Sequence, residues 1–487
     1  MLKKIVIDAL KYTPTKIIPA LISILIIPIL THMFSPEQYG YLGVSLSAIS
    51  LLSILTAGWT VNSNLRFYEQ RKNEGSEISH IQSLIFISVL LSGFVSILSF
   101  IILKILFHYT IIPEGLNKYT NSTVLLLFLN PVVAIILSFY RMQGKTTGYT
   151  LIDVSFNTGK YIIGLTLIAL MPLYFGLEAI ILGGIGAAII IITLLLFKSG
   201  FQQISLNIQK VNFLKEYWYY GYPFIIVLLS NWVITLATRN LLLILRPEYP
   251  YEVGWFTVSQ NIVDRSLRIL FQLLMLAALP VIYRTWENEG PSVTRKLLST
   301  ITKYYVTIFA PIVLWLSLTA QTIFQVVTGE QYWDGYVAVP WLATGIFLVG
   351  LNQYFVLPIT LKKKSKLLGK ITAGSALIGL VLNIVLIKTM GFIGGSISIF
   401  ITFGLFTSIT LYYSNNILPF TFSIKHLAKL ALALALMGIS VFYSLNIFLN
   451  PIAKLGLSFV VGSAIYVIVS WILKIINLKS DFQQPSS

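Results

Sequence analysis

The sequence predicts an all-α polytopic membrane protein of about fourteen transmembrane helices. Its 487 residues are 56% hydrophobic and only 10% charged, and the mean hydropathy is +0.83. Apolar windows of about twenty residues, long enough to cross a hydrocarbon core, recur along the chain. Basic residues are concentrated in alternate connections between these windows. A soluble domain with this composition is excluded.

The predicted helices follow one another with short connections. They are numbered 1 to 14 and lie near residues 12–33, 41–64, 81–107, 122–140, 150–170, 175–197, 217–245, 252–282, 301–323, 337–361, 368–387, 391–413, 425–447 and 452–473. Because Lys3, Lys4, Asp8 and Lys11 interrupt the start of the chain, we expect no cleaved signal peptide. Prolines within several helices predict bends, and Pro223 in helix 7 is one of them.

The distribution of lysine and arginine predicts the orientation. With the N-terminus in the cytoplasm, 25 of these bases fall in cytoplasmic connections or tails. Five fall on the outward side: Lys104, Lys118, Arg246, Lys388 and Lys454. This asymmetry fits an even number of helices with both termini cytoplasmic. It also explains the net charge of +17 without nucleic-acid binding.

An internal repeat is visible where turns of the two halves are aligned. Gly40 and Gly254 are 214 residues apart, and Gly176 and Gly391 are 215 apart. The pattern predicts one six-helix repeat over 1–210 and a second over 211–418. Residues 419–487 then contain helices 13 and 14 and a short cytoplasmic tail. Parallel repeats of this kind are typical of transporters whose site lies between the halves.

Predicted helix 8 carries a polar stripe at membrane depth. Its members recur at three- and four-residue intervals: Asn261, Asp264, Arg265, Arg268 and Gln272. Ionisable groups in a bilayer are costly unless they face a wet cavity or a partner. The stripe therefore predicts a helix that lines a wet, anion-binding lumen. A structural alternative is that Asp264 and Arg268, four residues apart, simply neutralise each other.

Two further bases, Lys160 and Arg239, also lie within predicted spans. Lys160 belongs to a second stripe, with Asp153, Asn157 and Tyr161, on helix 5. The protonation state of a carboxylate at that depth could change with the side of the membrane to which the lumen is open. Asp153 is therefore a candidate for ion coupling. The alternative is that Asp153 reaches the interface or pairs with a cytoplasmic base.

Several classes of chemistry find no support in the sequence. The chain has no cysteine, and its four histidines, His32, His80, His108 and His426, are too scattered to predict a metal site. There is no nucleotide-binding glycine loop and no catalytic triad pattern. We therefore expect no enzymatic activity, no catalytic residue, no metal and no cofactor.

Six motifs carry a resemblance to a known family. They are IIPILT (26–31), FSPEQYG (34–40), NLRFY (64–68), GEQYW (329–333), VLNIVLI (381–387) and GFIGGS (391–396). Their order and spacing resemble the bacterial polysaccharide (O-antigen and capsule repeat-unit) flippases of the multidrug/oligosaccharidyl-lipid/polysaccharide exporter superfamily. One departure is Thr238, which precedes Arg239 where many relatives carry an aspartate.

The resemblance implies a flippase in the bacterial cytoplasmic (inner) membrane. Such proteins translocate undecaprenyl-diphosphate-linked repeat units for lipopolysaccharide O-antigen, capsule or exopolysaccharide by alternating access. The implied partners are this lipid-linked glycan, membrane lipids, and polymerase and chain-length proteins of the pathway, but not nucleic acid. Because arginine meets phosphate oxygens in a bidentate manner, the predicted substrate-binding residues are Arg265, Arg268, Arg239, Lys160, Asn261 and Gln272.

Two other functions stay open at this stage. A cation-coupled drug antiporter of the same superfamily would share the architecture but should present carboxylates to its cargo. A membrane glycan polymerase or ligase would need a large outward catalytic loop, whereas the longest outward connections, near 108–121 and 324–336, are short.

Overall fold

A computed structural model describes residues 14–110, 112–196, 213–420, 423–447 and 450–475. Throughout these ranges the regular structure is helical and no strand occurs, which confirms the all-α prediction. Within them, ten helices are long and apolar enough to cross a membrane, or eleven when a bent pair is taken as one span.

The helices are numbered here to match the predicted windows. They are α1 (Pro14–Met33), α2 (Pro36–Asn73), α3 (Glu77–His108), α4 (Thr120–Met142), α5 (Thr146–Leu170), α6 (Glu178–Leu196), α7 (Leu214–Thr235 and Ala237–Leu245), α8 (Tyr251–Asn288), α9 (Gly290–Leu318), α10 (Val339–Leu361), α11 and α12 (within Ser365–Asn415), α13 (Ile424–Leu445) and α14 (Pro451–Ile472). Short helices occupy Glu114–Tyr119, Pro172–Phe175, Ala320–Val327 and Glu330–Ala338.

Local sequence accounts for several of these boundaries. The FSPEQYG motif is a capping box at the start of α2: the Ser35 hydroxyl accepts from the Gln38 N–H at 3.4 Å, and the Gln38 side chain accepts from the Ser35 N–H at 3.2 Å. Gly391 has a φ of 58° and breaks Ser365–Asn415 into α11 and α12. A residue with a Cβ would be strained in this conformation.

Helices α2 and α8 share an irregularity. Each is 38 residues long, and each contains a five-residue π-helical segment, Ile54–Gly58 in α2 and Asp264–Arg268 in α8. A π turn holds one residue more than an α turn and is often found at functional sites. The two helices that carry the aligned glycines of the predicted repeat therefore have the same length and the same kind of interruption.

The chain divides into two compact units. The first extends to Thr257 and includes Asn383–Gly391; the second contains Val258–Leu382 and the residues from Phe392 onwards. The first has an aromatic core that includes Trp59, Tyr68 and Tyr217. The division into repeats at 210 and 418 stays a prediction, and residue 210, the predicted C-terminal tail and Lys3, Lys4 and Lys11 lie outside the described residues.

Glycines bring helices of the first unit into backbone contact. A Cβ on Gly254 would lie 2.7 Å from the Pro36 Cα, and a Cβ on Gly40 would lie 2.9 Å from the Gly254 nitrogen. Helices α5 and α6 pack equally closely, since a Cβ on Gly164 would lie 2.9 Å from the Ala179 oxygen. Small residues at such crossings are typical of membrane helix packing.

Candidate functional site

The polar stripe of α8 lies on one partly exposed side of the helix. All five stripe residues are partly exposed, whereas Ile262, Val263, Leu267 and Phe271 between them are buried. The apolar side thus packs within the protein and the polar side does not. This is the arrangement that a helix lining a wet cavity needs.

Two of the three charges on this stripe neutralise each other. The Nε and Nη2 atoms of Arg268 donate to the Asp264 Oδ1 at 3.0 and 2.8 Å, and both side chains are about one-quarter exposed. The intrahelical pair that the four-residue spacing allows is therefore formed. Arg265, by contrast, has no hydrogen bond or ion pair with any residue that the structure describes. The stripe consequently presents one uncompensated positive charge.

The three charged residues of the α8 stripe lie within the π-helical segment of the helix. That segment runs from Asp264 to Arg268 and so includes both arginines. An extra residue in one turn rotates the side chains that follow by about 100° relative to a regular α-helix. Sequence spacing alone assumes a regular helix, so this irregular turn could not be predicted from it.

The second predicted stripe is on α5. The Asn157 amide donates to the Asp153 backbone oxygen at 3.0 Å and to the Asp153 Oδ1 at 3.2 Å. The Lys160 ammonium lies 4.7 Å from the centre of the Tyr161 ring and, within the described ranges, has no ion-pair partner. A lysine ammonium beside an aromatic ring, without an acidic partner among the described residues, is a group that an anionic ligand can approach.

Arg239 lies in the second half of α7 and is only 7% exposed. The preceding residue, Thr238, is fully buried and donates to the Asn383 Oδ1 at 2.9 Å. A neutral hydrogen bond is thus formed at the position where the family resemblance implied an aspartate.

Helix α7 bends by 59° at Leu236, between its two segments, and continues as regular helix through Pro223. The sharp bend is therefore not at the proline.

The structure brings some of the predicted residues together. Asn261, Arg265, Arg268 and Gln272 share one side of α8 in the second unit. Lys160 and Asp153 share α5 in the first unit, which also contains Arg239. The predicted site residues are thus divided between the two units: those on α8 lie in the second unit, and Lys160, Asp153 and Arg239 lie in the first.

A buried polar network in the first unit was missed by sequence reasoning. His80 on α3 is fully buried, with Nδ1 2.5 Å from the Tyr217 hydroxyl and Nε2 3.0 Å from the Asn64 Oδ1. The Asn64 amide in turn donates to the Ser138 hydroxyl at 2.8 Å. These contacts join α2, α3, α4 and α7. The available signal was the NLRFY motif, which contains Asn64.

An arginine closes this network at the end of α2. Arg71 is buried, pairs with Glu74 and Glu216, and lies 3.9 Å from the centre of the Phe213 ring. A hydrogen bond from Gln70 and the bond from Arg71 hold the pKa of Glu74 below its usual value. These residues therefore link the end of α2 to the start of α7 through charged and polar contacts. In the sequence, Arg71 was only one of the 25 bases that indicate the orientation.

Replacing His80 by alanine should destabilise the protein. Asn64 and the Tyr217 hydroxyl would each lose a buried partner, at a cost of about 1–3 kcal/mol per group. Thermal unfolding of the purified protein in detergent should shift clearly downward. The control is His108→Ala, because His108 lies exposed at the other end of the same helix. Equal unfolding temperatures for the two variants would contradict a structural role for the network.

Fold and hydropathy together define a multi-pass helical membrane protein. Residues 7–286, more than half of the chain, match the family described as "Polysaccharide biosynthesis protein". The chain belongs to this family. No curated protein sequence matches it significantly.

Solved structures show the same fold at low sequence identity. A lipid II flippase, MurJ, in an inward closed conformation aligns over 96% of this chain and 98% of its own with a TM-score of 0.77 and 14% identity. An inward-facing multidrug resistance MATE transporter aligns over 83% and 94% with a TM-score of 0.60 and 14% identity. An outward-facing multidrug resistance MATE family transporter aligns over 85% and 94% with a TM-score of 0.58 and 14% identity. At these identities the likeness concerns the fold alone.

Proposed function

We propose that the protein flips undecaprenyl-diphosphate-linked oligosaccharide repeat units across the bacterial cytoplasmic membrane by alternating access. The glycan would serve O-antigen, capsule or exopolysaccharide synthesis, and both termini would lie in the cytoplasm. The observation that carries the proposal is the positive charge of Arg265, unpaired among the described residues, on a partly exposed polar stripe of α8. An anionic ligand would compensate that charge.

The diphosphate matches the chemistry of this stripe. The planar guanidinium of Arg265 can donate two parallel hydrogen bonds to phosphate oxygens. Arg268 already uses two of its donors on Asp264, so its remaining N–H groups would be free to join the same anion. The amides of Asn261 and Gln272 would bind phosphate or sugar oxygens. Arg239 and Lys160, which belong to the first unit, are the other basic residues predicted to bind the substrate.

The same geometry argues against a cation-coupled drug antiporter. Such a protein needs a carboxylate that a cationic cargo can reach. Asp264 is already neutralised by Arg268, and the Asp153 carboxylate accepts a hydrogen bond from Asn157. The net charge of the α8 stripe is positive and would repel a cation. For a glycan polymerase or ligase, the described residues offer no catalytic constellation.

The proposal is tested with purified protein in lipid vesicles that contain a fluorescent undecaprenyl-diphosphate oligosaccharide. The fraction accessible to an external quencher reports translocation. A rise in accessibility that depends on the protein supports a flippase. Uptake of a cationic dye without any movement of the lipid would instead support the antiporter, and translocation insensitive to imposed ion gradients would indicate a passive scramblase.

Coupling to an ion would run through Asp153. In the Asp153→Asn variant the side chain can no longer change its charge, while its size and its hydrogen bond with Asn157 are retained. We expect gradient-driven accumulation in vesicles to be lost, with exchange in the absence of a gradient retained. Unchanged gradient-driven transport would show that this acid is structural. Asn157→Ala is the matched control, because it removes the neighbour but not the titratable group.

Helices α13 and α14 would contact the polyprenyl tail. They pack against each other through Ala433, Met437, Val441 and Tyr466, and the Tyr466 hydroxyl donates to the Thr307 oxygen at 2.6 Å. Their outer sides are apolar and exposed, with Phe442 and Trp471 among the most accessible residues. Such a surface suits a hydrocarbon environment.

The polymerase and chain-length proteins of the pathway are the protein partners in this proposal.

A further inference from the structure

A cavity in the first unit is lined by none of the residues of the two charged stripes. Its volume is about 160 Å³, and its walls are the end of α3, the start of α4, the neighbouring part of α2 and the second segment of α7. Most of the lining is apolar, with Val44, Leu103, Leu106 and Leu243 among the contributing residues. A cavity of about 150 Å³ is known to hold benzene, so this one holds about six carbon atoms.

The cavity reaches from the protein interior to an apolar outer surface. Leu243 is 2% exposed and belongs to its floor, whereas Ile244 is 54% exposed and belongs to its rim. Next to Leu106, Ile105 is 50% exposed on the same helix. In a membrane such a surface faces hydrocarbon. A ligand would therefore enter from the lipid, and its inserted part would be a hydrocarbon chain.

Two threonines in the lining have unused hydroxyl groups. Thr120 and Thr123 are 2% and 7% exposed, and neither hydroxyl has a hydrogen-bond partner in the described part of the chain. A buried hydroxyl without a partner destabilises the folded state unless a ligand supplies one. Rotation about the Cα–Cβ bond would present either hydroxyl to a ligand. An ester carbonyl, which accepts and cannot donate, would satisfy them.

Two cations flank the cavity. Lys104 follows the lining residue Leu103, and its ammonium lies 3.3 Å from the Asn117 Oδ1; Lys118 precedes the lining residue Tyr119. Both are exposed, and within the described ranges neither forms an ion pair. They are two of only five bases that the sequence places on the outward side. Helix α4 begins beside them at Thr120, so its positive dipole end adds to their field.

We propose that this cavity binds the first few carbons, next to the ester, of one acyl chain of an anionic phospholipid from the outward leaflet. The chain would occupy the apolar floor, the ester carbonyl would accept from Thr120 or Thr123, and the phosphate and headgroup would lie between Lys104 and Lys118. The resident lipid is distinct from the lipid-linked glycan of the proposed function. The inference therefore stands whether or not the protein is a flippase.

Native mass spectrometry of the full chain in detergent tests the headgroup. Phosphatidylglycerol and phosphatidylcholine with identical chains are titrated separately, and phosphatidylglycerol should bind more tightly. The double substitution Lys104→Ala with Lys118→Ala should weaken phosphatidylglycerol binding about tenfold or more and leave phosphatidylcholine unchanged, since each surface lysine favours anionic lipid by about 1 kcal/mol. Lys388→Ala, another exposed outward lysine, is the matched control and should have no effect.

The cavity itself is tested by thiol labelling, because the chain contains no cysteine. A Thr123→Cys variant should react with a small apolar maleimide, and phosphatidylglycerol should slow that reaction at least fivefold. Phosphatidylcholine should protect less. Unprotected labelling at saturating phosphatidylglycerol, or phosphatidylglycerol affinity that the lysine pair does not change, overturns the proposal. The single substitution leaves both lysines in place, so the two measurements fail independently.

Discussion

Replacement of Arg265 by alanine is expected to abolish translocation of the lipid-linked glycan while the protein still inserts and folds. The side chain has no partner in the described part of the chain, so its removal leaves no buried group unpaired. Loss of a bidentate arginine–phosphate contact should cost about 2–5 kcal/mol of binding, or at least thirtyfold in affinity. Arg265→Lys should retain part of the activity, because the positive charge is kept but the planar guanidinium that donates two parallel hydrogen bonds is lost.

The Asp264–Arg268 ion pair on the same helix allows a second test of the site. Arg268→Ala should also abolish transport, because it exposes the Asp264 carboxylate beside the bound diphosphate. The double variant Asp264→Ala with Arg268→Ala removes both charges of the pair. Because Arg265 is then the one charge left on the stripe, this variant should regain part of the transport activity. Arg284→Ala, an exposed arginine at the other end of α8, is the control and should behave as the wild type. Wild-type flipping by Arg265→Ala would place the diphosphate site elsewhere.

The α8 stripe shows what helical periodicity predicts well. Three- and four-residue spacing identifies which side of a helix is polar, and the structure leaves that side partly exposed while Val263 and Leu267 are buried. Periodicity cannot locate an extra residue within a turn. The π-helical segment over Asp264–Arg268 depends on packing and on the pairing of its charges, so it was not predictable from the pattern.

Contacts between distant residues explain the other differences. His80 and Tyr217 are separated by 137 residues, and only the fold brings the imidazole to the hydroxyl. The bend of α7 lies at Thr235-Leu236-Ala237, where neither proline nor glycine marks it. Pro223, by contrast, is accommodated near the start of the helix. Local rules therefore predicted that α7 bends but not the position of the bend.

The Gly254→Ala variant should be the least stable of three matched glycine substitutions. The added Cβ would lie 2.7 Å from the Pro36 Cα, and nearer still to the Pro36 oxygen, so backbone would have to move. Overpacking of this kind costs about 1–3 kcal/mol, which should lower the unfolding temperature in detergent by several degrees. Gly40→Ala should cost less, because its Cβ meets the Gly254 nitrogen at 2.9 Å and the Val253 Cβ at 3.0 Å, which are longer contacts than those of Gly254.

Gly456→Ala is the control, since no atom lies within 4 Å of its Cβ and the residue is inside α14. It should raise stability by about 0.5–1 kcal/mol through helix propensity alone. Gly40 and Gly254 are also the two positions that align between the predicted repeats. If Gly254→Ala unfolds no earlier than Gly456→Ala, this close crossing does not hold the start of α2 against the start of α8.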